Sequence, residues 1–248
     1  MKNLKKCRVC NSENFTIVLK LKDTPLEDEF LKQKIYQPTF PLELAICNEC
    51  FYVFLPYVVS PNLSYKDYMY ESSVTVGLNN HYDEYAKEIV ESNNISPKSL
   101  AIDIGSNDGS MLRSFQKQKL RALGIEPAKN LAKLANKNKI KTFNGFLDKK
   151  NLKKIKGNAD LILASNVFAH SDKLKEMAEC MIKLIGRNGT IVIEVQYLLN
   201  TLKDLTFDNI YHEHYNYWSL TSIINFFNQF NVKIFRSETI NTHGGSLR

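Results

Sequence analysis

The 248-residue chain is predicted to be an α/β protein, with a Rossmann-like domain preceded by a small metal-binding lobe. Three observations predict this. From Leu100 onward, short apolar runs alternate with amphipathic stretches of helical period, the pattern of a parallel sheet covered by helices. A glycine-containing loop follows the first of those runs, and two C-x2-C pairs lie within the first fifty residues.

Along the chain, Phe40–Leu44 and Phe51–Leu55 read as short strands around the second cysteine pair. Residues 58–75 are polar and rich in tyrosine, the texture of a linker or lid, and 81–94 read as a helix. Strands then follow at Leu100–Ile104, Ala122–Ile125, Lys141–Asn144 and Asp160–Ala164. Helices are expected at Met111–Gln118, Asn130–Asn138 and Leu174–Ile185. Arg187-Asn188-Gly189 reads as a turn into a strand over Thr190–Val195.

The four cysteines Cys7, Cys10, Cys47 and Cys50 form C-x2-C, a gap of 36 residues, and C-x2-C. Each pair is a knuckle that turns two thiolates toward one ion, and two knuckles complete a tetrahedral sulfur site, the usual structural Zn2+ arrangement. The competing readings are two disulfides or four free thiols. A closed four-sulfur site leaves no open coordination position, so zinc here is expected to hold the fold. Cys180, within an amphipathic helix, reads as a small buried hydrophobe.

Composition narrows the function classes. Hydrophobic residues make up 44% and charged residues 24%, ordinary globular values. No run approaches the ~18 apolar residues of a membrane helix, and the basic N-terminus lacks the apolar core of a signal peptide. A cytoplasmic protein without a membrane span is expected. The net charge is +7, but between Arg113 and Lys156 there are 14 Lys and Arg against Glu126 and Asp148 alone. Such a segment can attract nucleic acid. Only six of the 33 basic residues are Arg and aromatics are not interleaved with them, so lysines coating solvent-facing helices are the preferred reading.

The first strand of the alternating region ends in Asp103-Ile104-Gly105-Ser106-Asn107-Asp108-Gly109. Glycines there let the backbone turn sharply and approach a ligand. The spacing is neither G-x-G-x-x-G nor a phosphate cradle, and acids surround it, which suits a cationic ligand. The second strand ends in Glu126, 21 positions after Gly105, where an acid commonly grips ribose hydroxyls. The fourth ends in Ser165-Asn166-Val167-Phe168-Ala169-His170. Ligands of open α/β sheets bind beyond the carboxyl ends of the strands, where these loops converge. The combination resembles the class I S-adenosylmethionine methyltransferases. That resemblance implies Gly105 against the methionine part, Glu126 on the ribose and Asn166 near the sulfonium. Asp103, Asn107, Asp108 and Gly109 would shape the loop that holds S-adenosylmethionine.

Four of the five histidines sit beside other polar groups: His170, His212 and His214 within Tyr211-His212-Glu213-His214-Tyr215, and His243 within the terminal HGGSLR. For His212, Glu213 and His214 three readings stand: a metal site, structural hydrogen bonding, or a general base supported by an acid and a tyrosine.

CRVCNS, the Tyr-rich linker, IGSNDGSML, GIEPAKNLA, ASNVFAH, FDNIYHEHYNYWSL and HGGSLR together resemble, in the same order, the sugar C-methyltransferases. These zinc-containing enzymes of deoxysugar biosynthesis methylate C3 of a nucleotide-linked 4-keto sugar. The resemblance implies a zinc-binding lobe over 1–57, a linker and helix over 58–95 and an S-adenosylmethionine domain over 96–240. Residues 241–248 would then be the start of a C-terminal sugar-nucleotide domain. It further implies that His214 removes the proton α to the keto group, while His170, Tyr211, Glu213 or Tyr70 polarise the keto oxygen or orient the base. Members of that family are longer by a further α/β domain. A split gene with a partner chain, a frameshifted remnant or a shortened chain would account for the difference. The alternatives to C-methylation are O- or N-methylation of another small acceptor, and a zinc-ribbon module that binds nucleic acid.

Overall fold

A computed structural model describes residues 2–26, 33, 35–60, 78–155, 157–242 and 244–248. Contacts divide them into two units that do not follow chain order. The first holds the described residues of 1–64, 166–175 and 194–248; the second holds those of 65–165 and 176–193.

In the first unit, β1 (Lys2–Asn3) pairs antiparallel with β5 (Tyr57–Val58). Strands β2 (Phe15–Thr24) and β3 (Phe40–Cys47) lie between the two cysteine knuckles, and β4 (Val53–Phe54), just after the second, completes a meander with them. Sequence analysis places strands at β3 and β4 but leaves β2 out. Ten residues long, β2 is an edge strand with Ile17, Val18 and Leu21 exposed, so its alternation does not mark a buried face.

The second unit opens with α1 (Leu78–Ser92), which buries Tyr85, Ala86 and Ile89. Its centre is β6 (Leu100–Ile104), whose five residues are all buried, as both-faces burial of a central parallel strand requires. There follow α2 (Ser110–Lys117), β7 (Arg121–Glu126), α3 (Lys129–Lys137), β8 (Thr142–Asn144), the single turn α4 (Lys149–Leu152) and β9 (Ala159–Ser165). Helix α5 (Leu174–Leu184) leads into β10 (Ile185–Gln196). Strand β6 pairs parallel with β7 and β9, and β7 with β8. The order β8-β7-β6-β9-β10 is the 3-2-1-4-5 arrangement of a doubly wound sheet. Leu112 and Phe115 of α2, Ala135 of α3, and Tyr85 and Ile89 of α1 join Ala101, Leu161 and Leu163 in one core cluster. The described basic residues between Arg113 and Lys154 are exposed, consistent with a solvent-facing coat.

Strand β10 carries the chain back into the first unit. There α6 (Leu198–Lys203), β11 (Asn216–Tyr217), α7 (Leu220–Asn228), β12 (Thr239–Ile240) and β13 (Ser246–Leu247) complete it. Strand β11 joins the meander beside β4. Leu42, Leu44, Val53 and Leu55 pack with Ile210 and Tyr217 in a small core. Strand β13 pairs antiparallel with Val195 and Gln196 at the end of β10, and β12 pairs with β13. Ser246 and Leu247 of the terminal HGGSLR are thus strand residues of the first unit.

Candidate functional site

Sequence analysis singles out residues that the fold gathers into three clusters, each lying within one unit.

In the first unit, β3 ends at Cys47, and the turn after it delivers Cys50. The knuckle after β1 delivers Cys7 and Cys10. The four Sγ atoms lie within 4.8 Å of one another. Cys7 Sγ is 3.6 Å from Cys50 Sγ, and Cys10 Sγ is 3.5 Å from Cys47 Sγ. A tetrahedron with ~2.3 Å metal–sulfur bonds has edges of about 3.8 Å, so the donor set fits Zn2+. Cys7, Cys47 and Cys50 are buried. The Cys7–Cys50 hydrogen bond lowers the pKa of the Cys7 thiol and raises that of Cys50, as expected of two thiols that share one proton.

The glycine loop belongs to the second unit. Gly105 and Gly109 take positive φ, 70° and 82°, where a side chain would be strained. Asn107 also has positive φ, 51°, which asparagine tolerates. Gly109 has a packing reason as well, because a Cβ there would come within 2.9 Å of Ile140. Asn107 Oδ1 accepts from the Asp108 N–H at 2.8 Å, and Asp108 Oδ1 accepts from the Ser110 N–H at 3.0 Å, which ties the loop to the start of α2. Glu126, at the end of β7, accepts from the Asn107 N–H at 2.8 Å with one oxygen and from the Ala128 N–H at 2.7 Å with the other. The acid therefore shapes the loop and still keeps a lone pair on each oxygen.

Asp103 and Glu126 are 4% and 5% exposed. Burial, and then the Glu126 charge, push the Asp103 carboxyl well above the usual range; burial raises Glu126 as well. A carboxyl with a raised folded-state pKa is protonated in both states at low pH. Deprotonation then costs stability as pH rises above the unfolded value near 4. Asp103→Asn is accordingly expected to melt at higher temperature than the native chain at pH 7, with the gap closing as pH falls to about 4. Melting curves that stay parallel from pH 4 to 7 would contradict the assignment.

Asn166 follows β9 and belongs to the first unit, where its N–H donates to Glu194 O at 2.7 Å. The histidine cluster is in that unit too. The rings of His170 and His214 meet edge-on with centroids 4.7 Å apart. His214 Nδ1 lies 3.0 Å from Asn209 O, a carbonyl that can only accept, so Nδ1 carries the hydrogen and Nε2 faces the Tyr211 hydroxyl at 2.8 Å. His170 bonds to the Glu213 backbone, and burial followed by the His214 charge pushes it down to about 3. Its Nδ1 is shut off from solvent without a hydrogen-bond partner among the described residues. Glu213 itself is buried. His212 points elsewhere: it is 2% exposed, packs edge-on against Phe40 and bonds to Phe40 O at 3.3 Å. Among the described residues only the cysteines converge as metal ligands. Tyr70 and His243 lie outside the described residues.

Two residues that sequence reasoning passes over hold this cluster together: Asn216, two positions after His214, and Arg8, inside the first knuckle. Asn216 Nδ2 donates to Phe168 O at 2.7 Å and to Ser171 O at 2.8 Å, while Arg8 donates to Tyr215 O at 2.9 Å. The place of Arg8 between two cysteines of the cluster is the one available sequence signal.

Comparison with known proteins agrees with this division of labour. Residues 7–65 match a family described as "Putative zinc binding domain", and residues 79–236 match one described as "Methyltransferase domain". The C-methyltransferase NovU of Streptomyces niveus is 30% identical over 247 residues, 97% of this chain. The chain spans 59% of the length of that relative. Among solved structures, the magnesium protoporphyrin IX methyltransferase ChlM from Synechocystis PCC 6803 with bound SAH superposes with a TM-score of 0.54 at 14% identity, covering 69% of this chain and 81% of that one. Coclaurine N-methyltransferase bound to N-methylheliamine and SAH superposes at 0.52 with 15% identity, covering 70% and 54%. The fold is the class I methyltransferase fold. No helix among the described residues is long and apolar enough to cross a membrane.

Proposed function

The chain belongs to the S-adenosylmethionine-dependent methyltransferases, and from that premise we propose that it serves C-methylation at C3 of a nucleotide-linked 4-keto deoxysugar in the cytoplasm. The observation that carries this reading is the His214 imidazole, held in one tautomer by Asn209 O with its other nitrogen on the Tyr211 hydroxyl. Transfer to a hydroxyl or an amine needs no carbanion. Transfer to carbon does, and an imidazole fixed by these two partners, beside a second histidine kept neutral by burial, suits removal of a proton α to a ketone. In this reading His214 Nε2 accepts the proton, while Tyr211, His170, Glu213 and Tyr70 orient it or polarise the keto oxygen.

The residues of the glycine loop fit the cofactor. Two buried carboxyls with raised pKa values would be relieved by a ligand that brings positive charge and hydroxyl donors. Asp103, Gly105, Asn107, Asp108, Gly109, Glu126 and Asn166 would hold S-adenosylmethionine, which when bound supplies the methyl group. Cys7, Cys10, Cys47 and Cys50 would hold Zn2+ in a structural role. The same reading divides the chain at 1–57, 58–95, 96–240 and 241–248. It leaves sugar-nucleotide recognition to a C-terminal domain on the same or a separate chain.

Two measurements test it. Calorimetric titration with S-adenosylhomocysteine is expected to give one site of micromolar affinity, a value typical of cofactor-sized ligands. Incubation of a nucleotide-linked 4-keto-6-deoxyhexose in D2O without cofactor is expected to exchange the hydrogen at C3. Cofactor binding without exchange, coupled to methylation of a hydroxyl or amine acceptor, would replace C-methylation with the alternative.

A further inference from the structure

We propose that Arg8 is a positioning residue that ties the first cysteine knuckle, through Asn216, to the two segments carrying His170 and His214. The inference rests on the reading that those histidines perform the proton chemistry. Every residue in it belongs to the first unit.

Arg8 lies between Cys7 and Cys10, yet its guanidinium points inward and the residue is only 9% exposed. Nη1 donates to Tyr215 O at 2.9 Å and to Asn216 Oδ1 at 3.3 Å, and Nη2 donates to Leu55 O at 2.9 Å. The rings of Phe54 and Tyr215 flank it, with centroids 5.6 and 5.8 Å from Cζ. These partners are carbonyls and rings, none of them anionic. A buried cation without a counter-charge is costly. Four thiolates around Zn2+ carry a net charge of −2, so the filled knuckle supplies the compensating charge next to Arg8.

Asn216 takes the connection onward. Its Oδ1 accepts from Arg8 and from the fully buried Tyr52 hydroxyl. Its Nδ2 donates to Phe168 O at 2.7 Å, Ala169 O at 3.1 Å and Ser171 O at 2.8 Å, and its N–H donates to Ala169 O at 3.1 Å. One side chain thus clamps the carbonyls on both sides of His170. Two residues earlier in the chain is His214, and Arg8 grips Tyr215 O between them. A core that needed only burial here could be apolar. A polar hub in which both Nη atoms of Arg8 and both amide atoms of Asn216 are bonded, with only Arg8 Nε left without a partner among the described residues, instead specifies one geometry, and removing any member leaves further buried groups unpaired.

The test uses the full zinc-loaded chain. Arg8→Lys keeps the charge but cannot reach Leu55 O, Tyr215 O and Asn216 Oδ1 together. Long-range 1H–15N spectra of the imidazoles are the primary readout, with zinc content and circular dichroism as checks. The native chain is expected to give His214 as a single tautomer with hydrogen on Nδ1. Arg8→Lys, with zinc and fold retained, is expected to lose that single-tautomer signature. Its C3 exchange rate is expected to fall about 100-fold at unchanged KM, the scale of an ångström-level misplacement. Arg236→Lys, an exposed arginine of the same unit, should change neither. If Arg8→Lys does not fold, Tyr52→Phe carries the test, since it removes only one donor to Asn216 and should shift the same signals less. Unchanged imidazole spectra in a folded, zinc-loaded variant overturn the inference whatever the substrate proves to be. A native chain that shows the coupling but no C3 exchange supports the positioning role and counts only against C-methylation.

Discussion

A Cys47→Ser chain is expected to lose zinc binding and, with it, the ordered packing of the lobe around the two cysteine knuckles. Cys47 is fully buried at the end of β3, so the serine hydroxyl would replace a thiolate inside the lobe with no water to compensate it. The lobe also has packing of its own: Leu42, Leu44, Val53, Leu55, Ile210 and Tyr217 form a small core cluster, the ring of Tyr52 stacks on Phe54 and meets Trp218, and β2 is largely exposed along its length. Structural zinc contributes on the order of 10 kcal/mol to the folding of small domains, several times what burial of one such side chain contributes. Metal analysis should find about one zinc per native chain and close to none in the variant. Circular dichroism and limited proteolysis should report loss of the lobe. Cys180→Ser is the control, because Cys180 is a buried thiol of α5 with no metal partner among the described residues. A Cys47→Ser chain with native melting behaviour would remove zinc from the account of the fold.

The contrast between those two cysteines also separates what the sequence makes legible from what it conceals. Cysteine spacing is a local signal with a rigid chemical meaning, so the convergence of the four thiols is legible from their spacing alone. The same holds for β6, β7 and β9, whose mostly apolar runs belong to largely buried strands, and for the position of the acid at the end of β7. Strand β2 escapes sequence reasoning although Leu19-Lys20-Leu21-Lys22 alternates, because neither set of side chains faces a deep core and the period carries little contrast. Residues 187–189 mislead it because Arg187-Asn188-Gly189 resembles a turn, whereas the segment lies within β10. There the Gly189 backbone packs so closely that a Cβ would lie 2.5 Å from Ile185 Cδ1 and 3.0 Å from Ala159 O. Asn216 and Arg8 are invisible for a different reason. Their partners are 45 to 208 positions away, and beyond the place of Arg8 between Cys7 and Cys10 a single sequence does not mark polar residues whose work is long-range. Local chemistry is legible; the polar hub that gives that chemistry its geometry is not.

His214→Asn is expected to slow hydrogen exchange at C3 of the keto sugar by about 10²–10⁴-fold, the usual contribution of a positioned general base, with little change in KM or in S-adenosylhomocysteine affinity. Asparagine can still donate to Asn209 O, so the local structure should survive; what is lost is the imidazole lone pair that meets the Tyr211 hydroxyl. Tyr211→Phe should cost less, because the base remains and only its partner is removed. His170→Asn tests a separate element of the same device. The His170 ring, pushed down to about 3 by burial and by the His214 charge, stays neutral across the working range. It packs against His214 without adding a positive charge that would oppose protonation there. The folded state therefore refuses a proton that the unfolded chain accepts below its ordinary value near 6.5, so stability is full above pH 6.5 and declines as pH falls toward 3. Asparagine has no such proton to refuse, and His170→Asn should flatten that acid limb in a melting series while leaving the His214 tautomer to be set by Asn209. If instead His214→Asn exchanges the C3 hydrogen at the native rate, the proton acceptor lies elsewhere. The Tyr211–His214 pair would then be a structural contact of the first unit.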